Sequence, residues 1–215
     1  MANAKLVDMS SHQPSVDFHA VKKGGFIGVV CRTGIGESTP DTSLDAHREG
    51  ARSAGLHVGY YHVLSSKAAD AQAEFFLSLA RPQRGDLLAA DLEPGNPSLW
   101  EGMTAGAILD VVRAFVQAVR HAAPHNALLL YTYESFWATT MGNPHDDLGC
   151  DLWIAAYATD YKPYVPAAWE RRGPKMWQFT DGTHPAPHEV PGIPGPCDQD
   201  MFLGSADDYR RYVGA

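Results

Sequence analysis

The stretch LLAADLEPGN (residues 87–96) combines a short apolar run, typical of a buried β-strand, with two acidic residues at its end. Because side chains alternate across a strand, Asp91 and Glu93 point to the same side of it. The alternate positions are apolar and point to the opposite side: Leu88, Ala90 and Leu92. Since a buried carboxyl group costs free energy unless it is paired, two acids at this strand end indicate a functional role.

Further runs of apolar, β-branched or aromatic residues occur along the whole chain and also predict strands. The eight predicted strands cover residues 5–10, 26–34, 57–64, 86–93, 127–133, 151–158, 175–181 and 197–204. Helical patterns occur between the earlier strands, at residues 44–55, 67–80 and 104–122. After residue 133 the connections are rich in Pro and Gly, which disfavours helices there.

The alternation of strands and helices in the first half predicts parallel strands joined by right-handed crossovers. We therefore predict an α/β fold, an irregular TIM-like (β/α) barrel with eight strands and few outer helices in its second half. No linker, repeat or low-complexity stretch divides the chain, so residues 1–215 are predicted to form a single catalytic domain.

Composition and charge exclude several classes of protein. A net charge of -8 argues against nucleic acid as the main partner, and no window approaches the roughly 20 apolar residues of a membrane helix. The start of the chain lacks the pattern of a secretion signal, which predicts a protein held in the cytoplasm until release or exported by a non-standard route. The cysteines, Cys31, Cys150 and Cys197, are too widely spaced for a disulfide scaffold or a zinc motif, so no metal or cofactor is predicted.

Acidic residues also stand at the ends of the first and last predicted strands. Asp8 ends the first in LVDMSSHQ, and Asp198 opens the eighth in PCDQDMF. These strands are neighbours in a closed barrel, and barrel enzymes place their active sites at the strand ends. Clustered, partly buried acids repel each other and shift their pKa values apart, as glycoside hydrolysis requires. The alternatives are that Asp91 and Glu93 cap a helix or pair with Arg32, and that the other acids bind loop amides.

Aromatic residues on the predicted strands suit a carbohydrate ligand, because sugars present apolar C–H faces beside hydroxyl groups. The residues predicted to bind substrate in the cleft are Tyr61, Tyr133, Tyr157 and Gln178. His12, near the predicted barrel mouth, is a further candidate to hydrogen-bond an acid or a sugar. Aromatic residues on strands are also common in plain cores, so the choice among them stays open at this point.

The order and spacing of several motifs resemble glycoside hydrolase family 25, the Chalaropsis-type lysozymes or N-acetylmuramidases. The matching segments are LVDMSSHQPSVDF (6–18), AGLHVGYYHVL (54–64), AADLEPG (89–95), LLYTYESFW (129–137), LWIAAYA (152–158), MWQFTD (176–181) and CDQDMFLGS (197–205). The chain departs from the family at VVCRTGIGES (29–38), where Arg32 stands in place of the usual lysine. That loop is therefore left unassigned.

The resemblance implies an enzyme that hydrolyses the β-1,4 bond between N-acetylmuramic acid and N-acetylglucosamine in peptidoglycan. It implies Glu93 as general acid/base and Asp91 as its partner, with Asp8 and Asp198 as further acids of the cleft. Peptidoglycan is then the partner of a monomeric protein, with no role for nucleic acid or membrane, and a phage endolysin is one setting that fits. The alternatives are a non-catalytic amino-sugar binding module and a chitinase-like hydrolase.

The reaction course is open between two schemes. Adjacent acids two residues apart are typical of substrate-assisted hydrolases, in which the N-acetyl group of the substrate is the nucleophile. In the competing inverting scheme, Asp198 or Asp8 is the base that activates water.

Overall fold

The computed structural model describes residues 2–96, 98–160 and 164–215. The strands are β1 (Ala4–Met9), β2 (Phe26–Ile35), β3 (Thr39–Pro40), β4 (His57–Val63), β5 (Leu87–Asp91), β6 (Leu128–Tyr133), β7 (Asp151–Ala155), β8 (Met176–Thr180) and β9 (Asp198–Phe202). The α-helices are α1 (Phe18–Lys23), α2 (Leu44–Ser53), α3 (Ala69–Ala80), α4 (Ala105–Ala122) and α5 (Ala206–Val213). All the predicted strands are present, and β3 is an addition of two residues that forms a hairpin with β2.

The strands close into a barrel, as predicted. The sheet order is β1-β9-β8-β7-β6-β5-β4-β2, and the pairing of β1 with β2 completes the ring. All neighbours pair in parallel except β9, which is antiparallel to both β8 and β1. The connection between β8 and β9 is a Pro- and Gly-rich segment without a crossover helix. Without a crossover the chain returns along the neighbouring strand in the opposite direction.

The three predicted helices are present as α2, α3 and α4, and two short helices add to them. Thr104 caps α4 by accepting a hydrogen bond of 3.3 Å from the Ala107 amide. The unpredicted α5 begins with a capping box in which Ser205 and Asp208 bond each other's backbone amides. Within the described ranges, none of the helices has the length and apolar composition needed to cross a bilayer.

Two apolar layers flank the barrel wall. Outside it, Leu88, Ala90 and Leu92 belong to the cluster that includes Val112 and Phe115 of α4, as the strand alternation predicts. Inside it, a second cluster fills the barrel: Leu6, Val30, Leu87, Ala89, Leu129 and Met176. Each fully buried large apolar side chain stabilises the fold by roughly 1.5–3 kcal/mol. Because the interior is filled in this way, polar side chains gather at one rim.

Candidate active site

The structure brings the predicted acids together at one rim of the barrel. Asp8, Asp91, Glu93 and Asp198 all line a cavity of about 190 Å³. Asp8 near the end of β1 is the register partner of Asp198 at the start of β9. This pairing depends on the reversed direction of β9, which places its first residue beside the carboxyl ends of the parallel strands.

Asp8 is held by a hydrogen-bonded network at the floor of this cavity. The Gln178 Nε2 group donates to Asp8 Oδ2 at 2.8 Å. The Gln178 Oε1 atom accepts from the Tyr131 hydroxyl at 2.9 Å and from the Tyr157 hydroxyl at 3.1 Å. Two tyrosines therefore fix the orientation of the amide, and the amide fixes the carboxylate.

Asp91 and Glu93 are held differently, through their backbone. The Trp100 Nε1 group donates to the Glu93 backbone oxygen at 2.8 Å, and the Asp91 backbone oxygen accepts from the Leu64 amide. The Asp91 side chain is buried, and its Oδ1 atom has no hydrogen-bond partner among the described residues. Glu93 is half-buried. Both carboxyl groups can therefore interact with a bound ligand.

Burial raises the pKa of every acid in the cavity. It raises the pKa of Asp8 to about 6, and together with the charge of Asp8 it raises the pKa of Asp198 to about 8. Burial raises the pKa of Asp91 well above its usual range, and the neighbouring Glu93 adds to the effect. The pKa of Glu93 is also raised by burial, and the nearby Arg32 guanidinium opposes that shift. Some of these carboxyl groups therefore hold protons at neutral pH, as an acid/base pair requires.

Arg32 lies on β2, within the segment 29–38 that was left unassigned from the sequence, and it lines the acidic cavity. Its Nε group donates to Asp41 Oδ2 at 2.9 Å, and its Nη2 group donates to the Ser11 hydroxyl at 3.1 Å. In the part of the chain that the structure describes, its ion pair is with Asp41 and not with Asp91 or Glu93. The alternative in which Arg32 simply neutralises the two acids by direct pairing is therefore wrong.

The predicted substrate-binding residues divide between two adjoining cavities. Tyr61, Tyr157 and Gln178 line the acidic cavity. Tyr133 lines the adjoining cavity of about 570 Å³, to which Glu93 and Tyr157 also contribute. That volume is typical of a ligand site. His12 is exposed and lies outside the described lining of both cavities, so its contact with substrate stays a prediction.

Three residues of the site were not assigned a role from the sequence. Tyr131 orients Gln178, and the Trp153 Nε1 group donates at 2.8 Å to Oδ1 of the fully buried Asp200. Asp200 had a signal in the sequence, because DQD repeats the two-residue spacing of Asp91 and Glu93 on another strand. The partners of these side chains lie far away along the chain, so only the folded structure reveals the contacts.

Comparison with known proteins identifies the family of this chain. The model of the glycosyl hydrolases family 25 matches residues 7–186. The autolytic lysozyme of Clostridium acetobutylicum is 29% identical over 201 residues, which are 92% of this chain and 55% of that protein. This chain thus spans about half the length of that relative. The N,O-diacetylmuramidase of Chalaropsis sp is 26% identical over 81% of this chain and 86% of its own.

A solved structure shows the same fold. The family GH25 lysozyme from Aspergillus fumigatus superposes with a TM-score of 0.86 at 27% sequence identity, and the match covers 99% of each chain. The irregular α/β barrel predicted from the sequence is therefore shared with that lysozyme over almost its full length.

Proposed function

This chain belongs to the glycosyl hydrolases of family 25, and on that premise we propose that it is a lysozyme of the N-acetylmuramidase type. Its substrate is bacterial peptidoglycan, cleaved at the β-1,4 bond between N-acetylmuramic acid and N-acetylglucosamine. The autolytic lysozyme and the N,O-diacetylmuramidase among its relatives support this assignment. The observation that carries it is the convergence of Asp8, Asp91, Glu93 and Asp198 on one cavity.

The activity has a direct test. Incubation with purified peptidoglycan should release new reducing ends whose sugar is N-acetylmuramic acid, identified by borohydride reduction and mass spectrometry. Chitin oligomers, which lack muramic acid, serve as the matched substrate control. Reducing ends on N-acetylglucosamine alone would contradict the muramidase assignment, and saccharide binding without cleavage would support a binding module instead.

In the proposed first step, the Glu93 carboxylic acid donates its proton to the glycosidic oxygen. The bond from that oxygen to C1 of the muramic acid unit breaks, and N-acetylglucosamine leaves with a free 4-hydroxyl group. The carbonyl oxygen of the substrate's own N-acetyl group bonds to C1 and forms an oxazolinium ion. The raised pKa of Glu93 supports this role, because the acid must be protonated before the reaction begins.

Asp91 assists by accepting a hydrogen bond from the N–H of the same N-acetyl group. Its buried Oδ1 atom has no partner among the described residues, and a substrate donor would satisfy it. A donor to Asp91 favours its ionised form, so substrate binding places the proton of the pair on Glu93 and negative charge beside the oxazolinium ring. The neighbouring pair thus provides one acid and one anion for the same step.

In the second step, the Glu93 carboxylate takes a proton from water, and the water oxygen attacks C1. The oxazolinium ring opens, the N-acetyl group is restored, and Glu93 is again an acid. Two displacements at C1 give the β-anomer first. Proton NMR of the first-formed product tests this course, since an initial α-anomer would support the inverting scheme with Asp198 or Asp8 as base.

We also propose that the enzyme acts at the bacterial cell wall after release from the cytoplasm, as an endolysin does, or after export by a non-standard route. Fractionation of producing cells before and after membrane permeabilisation checks this proposal. Wall lysis that begins only after permeabilisation is expected for the endolysin setting, and lysis by intact cells is expected for export.

A further inference from the structure

Asp200 is a buried acid that the proposed reaction steps do not use. It lies on β9 two residues after Asp198, so both side chains point into the barrel. Asp200 is completely buried, and its Oδ1 atom accepts the hydrogen bond from Trp153 Nε1. Its Oδ2 atom is also buried and has no donor among the described residues. An unsatisfied buried oxygen is costly in free energy, so it calls for an explanation.

In the antiparallel register of β1 and β9, Asp8 lies opposite Asp198, so Asp200 is its diagonal neighbour on the same face of the pair. The carboxyl groups of Asp8 and Asp200 meet there in hydrogen-bonding contact. Two ionised carboxylates cannot bond each other, because each one is only an acceptor. The contact therefore requires a proton on one of them. Asp8 Oδ2 already accepts a hydrogen bond from Gln178 Nε2, which favours the ionised form of Asp8. The Asp200 Oδ2 atom, which has no donor, is then the position for the proton.

We propose that Asp200 is a positioning residue that stays protonated at neutral pH and donates a hydrogen bond from its carboxyl group to the Asp8 carboxylate. Trp153 holds one oxygen of Asp200, and Asp8 accepts from the other. The Asp8 carboxylate is thereby bonded from two sides, by Gln178 and by Asp200, and is fixed at the floor of the acidic cavity. The consequence for catalysis rests on the proposed function, whereas the hydrogen bond from protonated Asp200 to Asp8 does not.

The charges around Asp200 agree with this protonation state. Burial raises the pKa of Asp200 well above its usual range, the charges of Asp8 and Asp198 raise it further, and the bond from Trp153 opposes the shift. The other titratable groups that interact electrostatically with Asp200 stay neutral, because burial raises the pKa of each: Tyr157, Cys197 and Tyr209. The charges that act on Asp200 are therefore those of Asp8 and Asp198, and both disfavour its ionised form.

The variant Asp200→Asn tests the proton without relying on activity. An asparagine has the shape of a protonated carboxyl group, so its oxygen can accept from Trp153 while its N–H donates to Asp8. Folding of the natural protein at neutral pH must add a proton to Asp200, and folding of the variant need not. We therefore expect D200N to melt higher than the natural protein at neutral pH, by ~4 °C or more.

The pH dependence of this difference has a defined sign. A carboxyl group whose pKa is raised by folding contributes stability below its unfolded-state pKa and loses that contribution as the pH rises toward its folded-state pKa. The gain in melting temperature should therefore vanish below about pH 4 and grow as the pH rises. Glu101→Gln, which removes one negative charge from an exposed turn, is the control and should show neither effect.

Activity separates positioning from mere stability. D200N should retain wall lysis within about threefold of the natural enzyme, since the amide keeps both hydrogen bonds. Asp200→Leu, of similar size but without a donor, should lower kcat by roughly tenfold or more. A D200N protein that fails to fold, or melts lower than the natural protein at neutral pH, overturns the proposal that Asp200 is protonated. Full activity of D200L overturns the positioning role. If the natural protein does not cleave peptidoglycan, the proposed function fails, but the melting temperatures still show whether Asp200 is protonated.

Discussion

The barrel rim carries acids at two places, the β1–β9 end and the β5 end, and the two differ in how their carboxyl groups are held. Where β1 meets β9, Asp8 accepts from Gln178, and Asp200 accepts from Trp153. At the end of β5, the Asp91 carboxyl group has a buried oxygen without a partner among the described residues, and Glu93 is half-buried. Both ends combine acids at alternate strand positions, but side-chain donors hold Asp8 and Asp200, whereas no side-chain donor holds the Asp91 or Glu93 carboxyl group among the described residues.

This difference supports the proposal that the β5 end performs the chemistry. A carboxyl group bonded by fixed side chains keeps one position and one charge, which suits it to orient a ligand or support a neighbour. A buried oxygen without a partner has a free-energy cost of about 1–3 kcal/mol, which a substrate N–H can recover. Asp200 Oδ2 at the β1–β9 end also has no donor among the described residues, but Asp200 is not part of the described cavity lining, whereas Asp91 is. The β5 end therefore gains more from substrate. Variants at the two ends should separate accordingly.

The largest effect is expected for Glu93→Gln. The amide cannot donate a proton to the glycosidic oxygen or later activate water, so wall lysis should fall by about 10²–10⁴-fold. The melting temperature at neutral pH should be unchanged or higher, because a carboxyl group with a raised pKa is replaced by a neutral group. Reducing-end release and thermal melting measure the two quantities, and Glu101→Gln is the control. A lytic rate equal to that of the natural protein would remove Glu93 from the mechanism.

A smaller loss is expected for Asp91→Asn, because the acid/base group is left in place. The amide loses the negative charge that stabilises the oxazolinium ring, so kcat should fall by about 10²-fold with little change in KM. Asp70→Asn is the same exchange at an exposed helix position and should leave both constants unchanged. A rise in KM with normal kcat would show that Asp91 binds substrate without acting on the charged intermediate.

The same comparison explains what the sequence could predict. The acids at the end of β5 form a local signal, because both lie on one strand and their spacing alone places them together. The β1–β9 end needs the direction of β9, which no local pattern encodes. In a barrel of parallel strands, Asp198 at the start of its strand would lie at the opposite rim from Asp8. The antiparallel β9 brings them into register, and for this reason the two acids of the first and last strands meet at the same rim.

The contacts that were missed from the sequence share a physical cause. Trp153 and Asp200 are 47 positions apart, and so are Tyr131 and Gln178. An indole or a phenol on a strand has the same pattern whether its polar atom bonds a carboxyl group or faces solvent. The pairing of Arg32 with Asp41 also depends on the β2–β3 hairpin between them. Alternation predicts the face of a side chain but not its partner.

A moderate change in pH dependence is expected for Arg32→Gln, which alters the charge felt at the β5 end. The guanidinium group lowers the pKa of Glu93 and Asp91. Its loss raises the pKa of Glu93, so the acid stays protonated to higher pH. The alkaline limb of the kcat/KM profile should then move upward by less than about one pH unit. Arg32→Lys keeps the positive charge and should leave the limb in place. A downward shift in R32Q would contradict this assignment.

The smallest effect is expected for Tyr131→Phe, a change on β6 that reaches Asp8 of the β1–β9 end through Gln178. This change removes the hydroxyl that donates to Gln178 Oε1, and Tyr157 still donates to the same atom. Because one buried hydrogen bond is lost while its acceptor keeps a partner, the free energy of unfolding should fall by about 0.5–1.5 kcal/mol. Urea denaturation at neutral pH measures this change, and wall lysis should stay within about threefold. Tyr157→Phe removes the more exposed donor and should cost less stability. A loss of kcat in Y131F as large as that in D91N would show that the β1–β9 end takes part in catalysis. The distinction between the two ends would then be wrong.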